Sequence, residues 1–281
     1  MEIKKMLFVT NFEELWFDAL RSLMSLRKAG LEHVVLMHVV ERKIGYYTTE
    51  EKRRLKEMAE VRFIDWAQSL FEEGLECGSY IVEGNTVRKI MSIIEEEGVN
   101  LVVISRQKRS GLEKFYIDSK TIEFLRKTTI PVLVHKYNVG PGRVNDKPFE
   151  RPLLATDWSP QSNRAVEFLV ALKGIMKKLQ VIHVVTEKAM AGLGKRGLKK
   201  MERENRRRLG ELCDSLEAEG IEAEPHLYIG DVTQIENAAR EREATLIATG
   251  TTGKSAWQAR WLGSPSQRLA EVSELPTLLV P

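Results

Sequence analysis

The 281-residue sequence contains only two cysteines, Cys77 and Cys213. They lie far apart and in no metal-ligand spacing, so we expect neither a disulfide framework nor a zinc site. The sequence also lacks any apolar run near the roughly 20 residues that cross a membrane. Its net charge of +3 is too small to indicate nucleic-acid binding by itself. These absences predict a cytoplasmic protein without a metal centre or a membrane span.

Charged residues are abundant, at 30% of the chain, but the two signs are mixed. Residues 195–208 form the one basic concentration, and Glu202 and Glu204 are interleaved among its lysines and arginines. Such a mixture is typical of a solvated helix face. We therefore do not expect nucleic acid as a partner.

The sequence repeats itself with a period of about 145 residues. The run Met37-His-Val-Val40 recurs as Ile182-His-Val-Val185, and Glu73-Gly-Leu-Glu76 recurs as Glu219-Gly-Ile-Glu222. We therefore predict two domains of the same kind. Between the copies lies a stretch that is dense in turn formers and polar residues. The predicted boundaries are 1–137 for the first domain, 138–150 for the linker and 151–281 for the second domain.

Within each copy, short β-rich runs alternate with longer segments of helical periodicity. Residues 101–104 are continuously apolar, as in a strand buried on both faces, whereas Leu15, Ala19, Leu23 and Leu26 recur at helical spacing. The predicted strands are 4–10, 33–40, 76–82, 100–105, 130–135, 152–156, 179–185, 222–229, 244–249 and 276–280. The predicted helices of the first copy are 12–29, 49–74, 86–98 and 119–128. This alternation predicts an α/β fold of two doubly wound domains, each a five-stranded parallel sheet flanked by helices.

Residues 250–264 form a glycine-bearing loop between the predicted fourth strand of the second copy and a helical pattern from Ser264 to Leu275. Glycine permits a positive φ and a close approach of the backbone to a ligand, and the N–H groups of a first helical turn point at anions. The loop therefore predicts a phosphate site. The segment Ala155-Thr-Asp157 and the pair His183-Val184 also fall at strand ends, where ligands of doubly wound sheets bind.

The second copy resembles a universal stress protein domain, whose nucleotide-binding members carry Gly-x2-Gly-x9-Gly-Ser/Thr after the fourth strand. Gly250, Gly253, Gly263 and Ser264 satisfy every fixed position, and the resemblance spans both copies. It implies a Rossmann-like fold of the adenine nucleotide alpha hydrolase type and a stress-response regulatory or signalling role. The implied ligand is ATP or AMP, and Mg²⁺ could accompany ATP. The expected binding residues are Ala155, Thr156, Asp157, Val184, Thr249, Gly250, Gly253, Lys254, Gly263, Ser264 and Ser266.

The resemblance also implies roles within this set. Asp157 would bind the ribose or adenine side, Val184 would meet adenine through its backbone, and the loop would hold the phosphates. Pro265 departs from the usual amide-bearing residue after the Gly-Ser pair. It suits the first helical position, but it removes one N–H that could contact phosphate. We therefore expect a weaker hold on the terminal phosphate.

Two other function classes remain open. Residues 248–255 nearly match a P-loop, in which Lys254 would reach the β- and γ-phosphates and Ser255 would bind Mg²⁺. The equivalent stretch of the first copy keeps the spacing to Ser119 without matching a P-loop, which argues against an ATP-hydrolysing enzyme of that type. No nucleophile with a paired base can be placed at the strand ends. The third class is a nucleotide-independent interaction module.

The first copy has lost the glycine pattern. Ser105, Lys108 and Asp118 replace its three glycines, and Asn11 replaces the aspartate after the first strand. A carboxylate at a helix N-terminus favours the helix but repels phosphate there. We therefore predict that the first domain binds nucleotide poorly or not at all.

Two further expectations concern packing. His38 and His183 recur at one position in both copies without a neighbouring carboxylate or cysteine, so we predict hydrogen-bonded structural histidines. We expect the apolar runs 131–134 and 276–280 to be covered by another part of the protein, because exposed apolar edge strands promote aggregation. We expect them to pair the two copies within the chain as an internal pseudo-dimer. The resemblance also admits a homodimer, which the sequence does not fix.

Overall fold

A computed structural model describes residues 2–10, 16–40, 48–106, 119–136, 146–251 and 265–281. Ten strands follow the predicted order. Their bounds are β1 Lys5–Thr10, β2 His33–Val40, β3 Glu76–Glu83, β4 Leu101–Arg106, β5 Val132–Lys136, β6 Pro152–Ala155, β7 Leu179–Val185, β8 Ala223–Ile229, β9 Leu246–Gly250 and β10 Thr277–Val280.

Helices connect these strands. Their bounds are α1 Trp16–Arg21, α2 Thr49–Glu72, α3 Thr86–Glu97, α4 Ser119–Lys127, α5 Pro160–Ala171, α6 Glu187–Met190, α7 Lys195–Ala218, α8 Thr233–Glu241 and α9 Pro265–Val272. Two short 3₁₀ segments, Met24–Ala29 and Lys173–Ile175, follow α1 and α5. Among the described residues, no helix has the length and apolar character that spanning a membrane requires.

Helix starts follow local sequence signals. Thr48 and Glu51 form a reciprocal capping box at the start of α2, and the Asn85 side chain accepts the Arg88 N–H at the start of α3. Each satisfies N–H groups that have no partner inside the helix. At the other end of α3, Gly98 adopts a left-handed φ of 63°, which glycine reaches without steric cost.

Two helix predictions were wrong in extent. The predicted helix 12–29 is broken within its described part, where Ser22 Oγ donates to the Ala19 carbonyl at 2.7 Å and competes with the backbone ladder. The predicted helix from Ser264 to Leu275 ends at Val272. Pro276 disfavours a helical residue before it, and Ser273 Oγ accepts the Leu275 N–H in a turn instead.

All ten strands belong to one sheet, in the order β3-β2-β1-β4-β5-β10-β9-β6-β7-β8. Each copy contributes five parallel strands, as predicted, and the two last strands, β5 and β10, pair antiparallel. At this joint Leu133 lies opposite Leu278 and Val132 opposite Leu279, and all four side chains are buried. The expectation that the copies pair through their last strands is therefore confirmed. Each apolar edge covers the other.

The core continues across the joint on one face of the sheet. One cluster of buried side chains holds Phe8 and Leu133 of the first copy together with Leu154 and Leu278 of the second. On the other face, one cluster lies under α3 and α4 and also includes Ala270 of α9 and Leu279 of β10, and another lies under α8 and α9. The two copies thus share buried clusters on both faces of the sheet.

Lys136, at the end of β5, is buried and reaches across the joint to α9. Its Nζ donates to the carbonyl oxygens of Leu269, at 3.2 Å, and Ser273, at 2.5 Å. The last carbonyls of a helix have no intrahelical partner, and a cation is favoured at that end. Burial lowers the pKa of Lys136 to about 7, although Glu236 and Glu271 oppose the shift. The first copy thus holds the C-terminal end of the helix that follows the glycine loop.

Replacing Lys136 with methionine is expected to remove a pH-dependent contribution to stability. The amine has a pKa of about 7 in the folded chain against an ordinary value of 10.5. Between these values the unfolded state binds a proton that the folded state lacks, so the free energy of unfolding rises with pH by about 1.4 kcal/mol per unit. Urea denaturation of both proteins across this window measures the difference. Parallel pH profiles would contradict the assignment.

Candidate functional site

The predicted strand ends of the second copy meet at one edge of the sheet. Strand β6 lies between β9 and β7, and Ala155, its last residue, pairs with Thr249 on one side and Ile182 on the other. The order reverses between β6 and β9, because β7 and β8 lie to one side and β10 to the other. Ligands of doubly wound sheets bind at such a point, beyond the carboxyl ends of the strands. Asp157, which follows β6, and Gly250, the last residue of β9, both lie there.

Asp157 is held in place by the residues that begin α5. Its Oδ1 accepts the Ser159 N–H at 3.0 Å and the Ser162 hydroxyl at 2.5 Å. Ser159 in turn caps α5, because its side chain accepts the Ser162 N–H, and Pro160 occupies the first turn. Both of these donors contact the same oxygen, Oδ1. The carboxylate is therefore held in one orientation by the start of α5.

The same contacts decide the charge of Asp157. Partial burial opposes ionisation, but the hydrogen bonds from Ser159 and Ser162 together outweigh it, so the pKa of Asp157 lies below its ordinary value. Asp157 is an anion at neutral pH. An anion suits a ribose hydroxyl, which can donate to it, and does not suit a phosphate.

Gly250 is required by a close approach of two backbones. It ends β9 against the first turn of α5, where an added Cβ would lie 2.4 Å from both the Gln161 carbonyl carbon and the Ser162 nitrogen. Real Cβ atoms are not found so close to backbone atoms. The first glycine of the predicted motif thus lets α5 pack onto the strand end. The same contact places Ser162, which binds Asp157, directly against the start of the loop.

Val184 lies near the end of β7, which is the strand next to β6. The Ile182 carbonyl accepts the Thr156 N–H at 2.9 Å. Because backbone groups alternate along a strand, the Val184 carbonyl points to the same side of β7 as the Ile182 carbonyl, two residues further on. The side chain of Val184 packs under α8 with Tyr228. A contact between the Val184 backbone and adenine stays a prediction.

The two repeated histidines are structural, as predicted. His183 Nδ1 donates to the Thr156 carbonyl at 2.8 Å, and His38 Nδ1 donates to the Thr10 carbonyl at 3.0 Å. Burial lowers the pKa of both rings, although each backbone hydrogen bond opposes the shift. Both histidines are therefore neutral at pH 7. Each ties the second strand of its copy to the end of the first, since Thr10 is the last residue of β1 and Thr156 follows the last residue of β6.

Trp158 is a feature that the sequence analysis missed. It has a left-handed φ of 66°, which is rare for a bulky residue. Its ring packs on His183 with 5.1 Å between centroids, and the Arg208 guanidinium lies 5.4 Å from the ring centroid. This stack links α7 to the turn that carries Asp157 and holds the strained backbone. Ser159 and Ser162 were missed as well, although Ser159 before Pro160 is a recognisable helix start.

The remaining predicted site residues divide into two groups. Ser266 is buried in the first turn of α9. Gly253, Lys254, Gly263 and Ser264 lie outside the described residues. Of the replacements in the first copy, Ser105 is buried near the end of β4, whereas Asn11, Lys108 and Asp118 also lie outside the described residues. The predicted loss of the first site therefore remains a prediction.

The sheet and its flanking helices define a doubly wound α/β protein, and comparison with known proteins identifies its family. A model of the universal stress protein family matches the chain twice, over residues 2–136 and 148–281. The chain therefore belongs to the universal stress protein family and contains two such domains in tandem.

Individual relatives agree with this assignment. The chain is similar to universal stress protein MJ0577 of Methanocaldococcus jannaschii, with 25% identity over 153 residues, or 47% of this chain and 94% of that protein. A universal stress protein from Archaeoglobus fulgidus DSM 4304 has a TM-score of 0.78 at 23% identity and covers 100% of this chain and 99% of its own. A protein of unknown function from Pseudomonas aeruginosa PAO1 has a TM-score of 0.66 at 18% identity, and the match covers 99% of this chain and 92% of that protein. At these identities the two solved structures show the fold alone.

Proposed function

We propose that the second domain binds one adenine nucleotide, ATP or AMP, and that the chain acts as a stress-response regulatory or signalling protein. The observation that carries the proposal is the meeting of Asp157 and Gly250 at the switch point between β6 and β9. There Asp157 is an anion that Ser159 and Ser162 hold in place, and Gly250 begins the loop with the family's glycine spacing. The proposed domains are 1–137 and 151–281, joined by the linker 138–150.

Each part of the nucleotide has a matching group in this proposal. The ribose would donate a hydroxyl to Asp157 Oδ2, and the adenine would meet the backbone of Val184. The phosphates would lie on Gly253, Gly263, Ser264 and the first turn of α9, where N–H groups attract anions. Ala155 and Thr156, at the end of β6, would also lie beside the nucleotide, and Mg²⁺ would accompany ATP.

Calorimetric titration with ATP, ADP and AMP is expected to give one nucleotide per chain. Asp157→Asn keeps the shape and one acceptor but removes the charge, so we expect affinity to fall by about tenfold or more, as for one hydrogen bond to a charged group. Gly263→Asp places a carboxylate at the phosphates and is expected to abolish binding.

Asp231→Asn is a matched control for the first variant. Like Asp157, Asp231 lies between the end of a strand and the start of a helix and accepts hydrogen bonds there. Its Oδ1 accepts the Thr233 N–H at 2.9 Å and the Thr233 hydroxyl at 2.5 Å. It follows β8, away from the switch point, so its variant should bind nucleotide like the native chain.

Two equivalent nucleotides bound per chain would contradict the prediction that the first domain has lost its site. If none of the three nucleotides gives a heat of binding or raises the melting temperature, the protein would instead be a nucleotide-independent interaction module.

The same preparations decide whether the protein hydrolyses ATP. Phosphate release from the native chain is expected to be slow at most. Robust turnover that Gly263→Asp abolishes would instead make the protein an enzyme.

A further inference from the structure

Helix α2 carries apolar side chains on both of its faces. One face packs into the core through Ala59, Phe63, Trp66 and Leu70. The opposite face carries Met58, Val61, Ile64 and Phe71, which are 57%, 60%, 67% and 78% exposed. We call these four residues the α2 stripe. They are four of the six large apolar side chains that are exposed in the described part of the chain.

The second copy provides an internal comparison, because α7 corresponds to α2 residue by residue. Two buried positions agree, since Phe63 and Leu70 correspond to the buried Leu209 and Leu216. The outer positions do not agree. The counterparts of the α2 stripe are Glu204, Arg207, Gly210 and Glu217, of which Glu204 and Arg207 form an exposed ion pair at 2.6 Å. Folding of the domain therefore does not require an apolar outer face on this helix.

The spacing on the outer face of α2 suits packing against another helix. Positions 54, 57, 61, 64, 68 and 71 recur at alternating intervals of three and four residues and form one continuous line along the helix. The residues at these positions are Arg54, Glu57, Val61, Ile64, Gln68 and Phe71. The line is about 26 Å long at the rise of an α-helix. Its centre, Val61 and Ile64, is apolar, whereas Arg54 and Glu57 lie toward one end and Gln68 and Phe71 toward the other.

We propose that the α2 stripe is the surface through which two copies of this chain associate, with their α2 helices antiparallel. In the antiparallel arrangement centred between Val61 and Ile64, each Val61 meets Ile64 of the second copy. Glu57 then meets Gln68, which can donate to it, and Arg54 meets Phe71, whose ring attracts a guanidinium. A parallel arrangement would instead set Arg54 against Arg54 and Glu57 against Glu57. The charges on the helix thus favour the antiparallel orientation, in which the α2 helix of a second copy matches this one.

The interface is small, so the dimer is expected to be reversible. One helix pair buries less than the roughly 1,200 Å² of a standard interface, which places it among weak, concentration-dependent associations. Sedimentation velocity of the full chain over a wide concentration range is expected to show a monomer–dimer equilibrium. A monomer at every concentration would overturn the proposal.

Three variants test the surface and its register. Ile64→Lys or Val61→Glu alone places a charge against an apolar side chain, and each is expected to weaken the dimer by more than tenfold. Val61→Glu combined with Ile64→Lys sets glutamate against lysine at both central contacts of the antiparallel pair. The double variant should therefore dimerise again, whereas a parallel pair would set like charges together.

Gly210→Lys is the matched control, because Gly210 is the counterpart of Ile64 on α7 and a Cβ there meets no atom within 4 Å. It should leave the dimer unchanged. Melting temperatures near that of the native chain would show that the variants are folded, as expected for exposed positions. Failure of the double variant to recover dimerisation, with the fold intact, would reject the antiparallel register. An unchanged dimer in both single variants would reject the surface.

Discussion

Gly250→Ala is expected to destabilise the protein by about 1–3 kcal/mol or more and to abolish nucleotide binding. The new Cβ would lie 2.4 Å from the Gln161 carbonyl carbon and the Ser162 nitrogen. Both are backbone atoms in the first turn of α5, so no side chain can rotate away to make room. The helix start must move, and overpacking of this kind costs on the order of 1–3 kcal/mol or more.

The loss of binding follows from the same displacement. Ser162 donates to Asp157 at 2.5 Å, and Ser159 caps the helix that would shift. A shifted first turn therefore misplaces the carboxylate as well as the start of the loop. Urea denaturation measures the stability, and calorimetry with ATP measures the binding.

Gly210→Ala is the control for this substitution. Gly210 lies inside α7 with no atom near its added Cβ, so alanine there should raise the free energy of unfolding by about 0.5–1 kcal/mol. Opposite signs for the two glycines are expected. A Gly250→Ala variant of native stability would show that α5 does not pack against β9 as described.

Leu278→Asp is expected to cost about 4 kcal/mol or more and to unfold both domains together. Leu278 is fully buried at the joint, opposite Leu133 of the first copy. An aspartate there would be a charge without a partner in the shared core, which is among the most destabilising changes known. Because one core spans both copies on that face, the loss is not confined to the second domain.

Ile229→Asp is the matched control, since Ile229 ends an edge strand and is 59% exposed. It should change the free energy of unfolding by less than about 0.5 kcal/mol. Thermal unfolding followed by calorimetry distinguishes the outcomes. Two separate transitions in Leu278→Asp, with one at the native temperature, would show that the domains are stabilised independently.

Much of this fold follows from local patterns. The predicted bounds of the strand 33–40 match those of β2. A short continuous run of apolar and β-branched side chains is typical of a buried strand. The capped starts of the helices were also recognisable. The break after α1 was not, because it depends on Ser22, whose hydroxyl bonds both the Ala19 carbonyl and the distant His135.

The site shows the same division. Glycine spacing and strand ends indicated Asp157, Val184 and Gly250, since ligands bind where strands of such sheets end. The sequence did not show that Ser162 orients Asp157, nor that Trp158 adopts a left-handed backbone between His183 and Arg208. These contacts join residues from different elements, and a periodic pattern carries no distances between elements.

The sequence by itself determined that there are two copies of one α/β domain and that only the second keeps the glycine pattern. Repeats, periodicity and turn residues are local properties, so the order of residues suffices to reveal them. Only the tertiary structure decided that β5 and β10 pair antiparallel with Leu133 opposite Leu278, that Gly250 must lack a side chain, and that Lys136 crosses the joint to α9. Each of these depends on atoms that are distant in sequence and close in space, which only packing brings together.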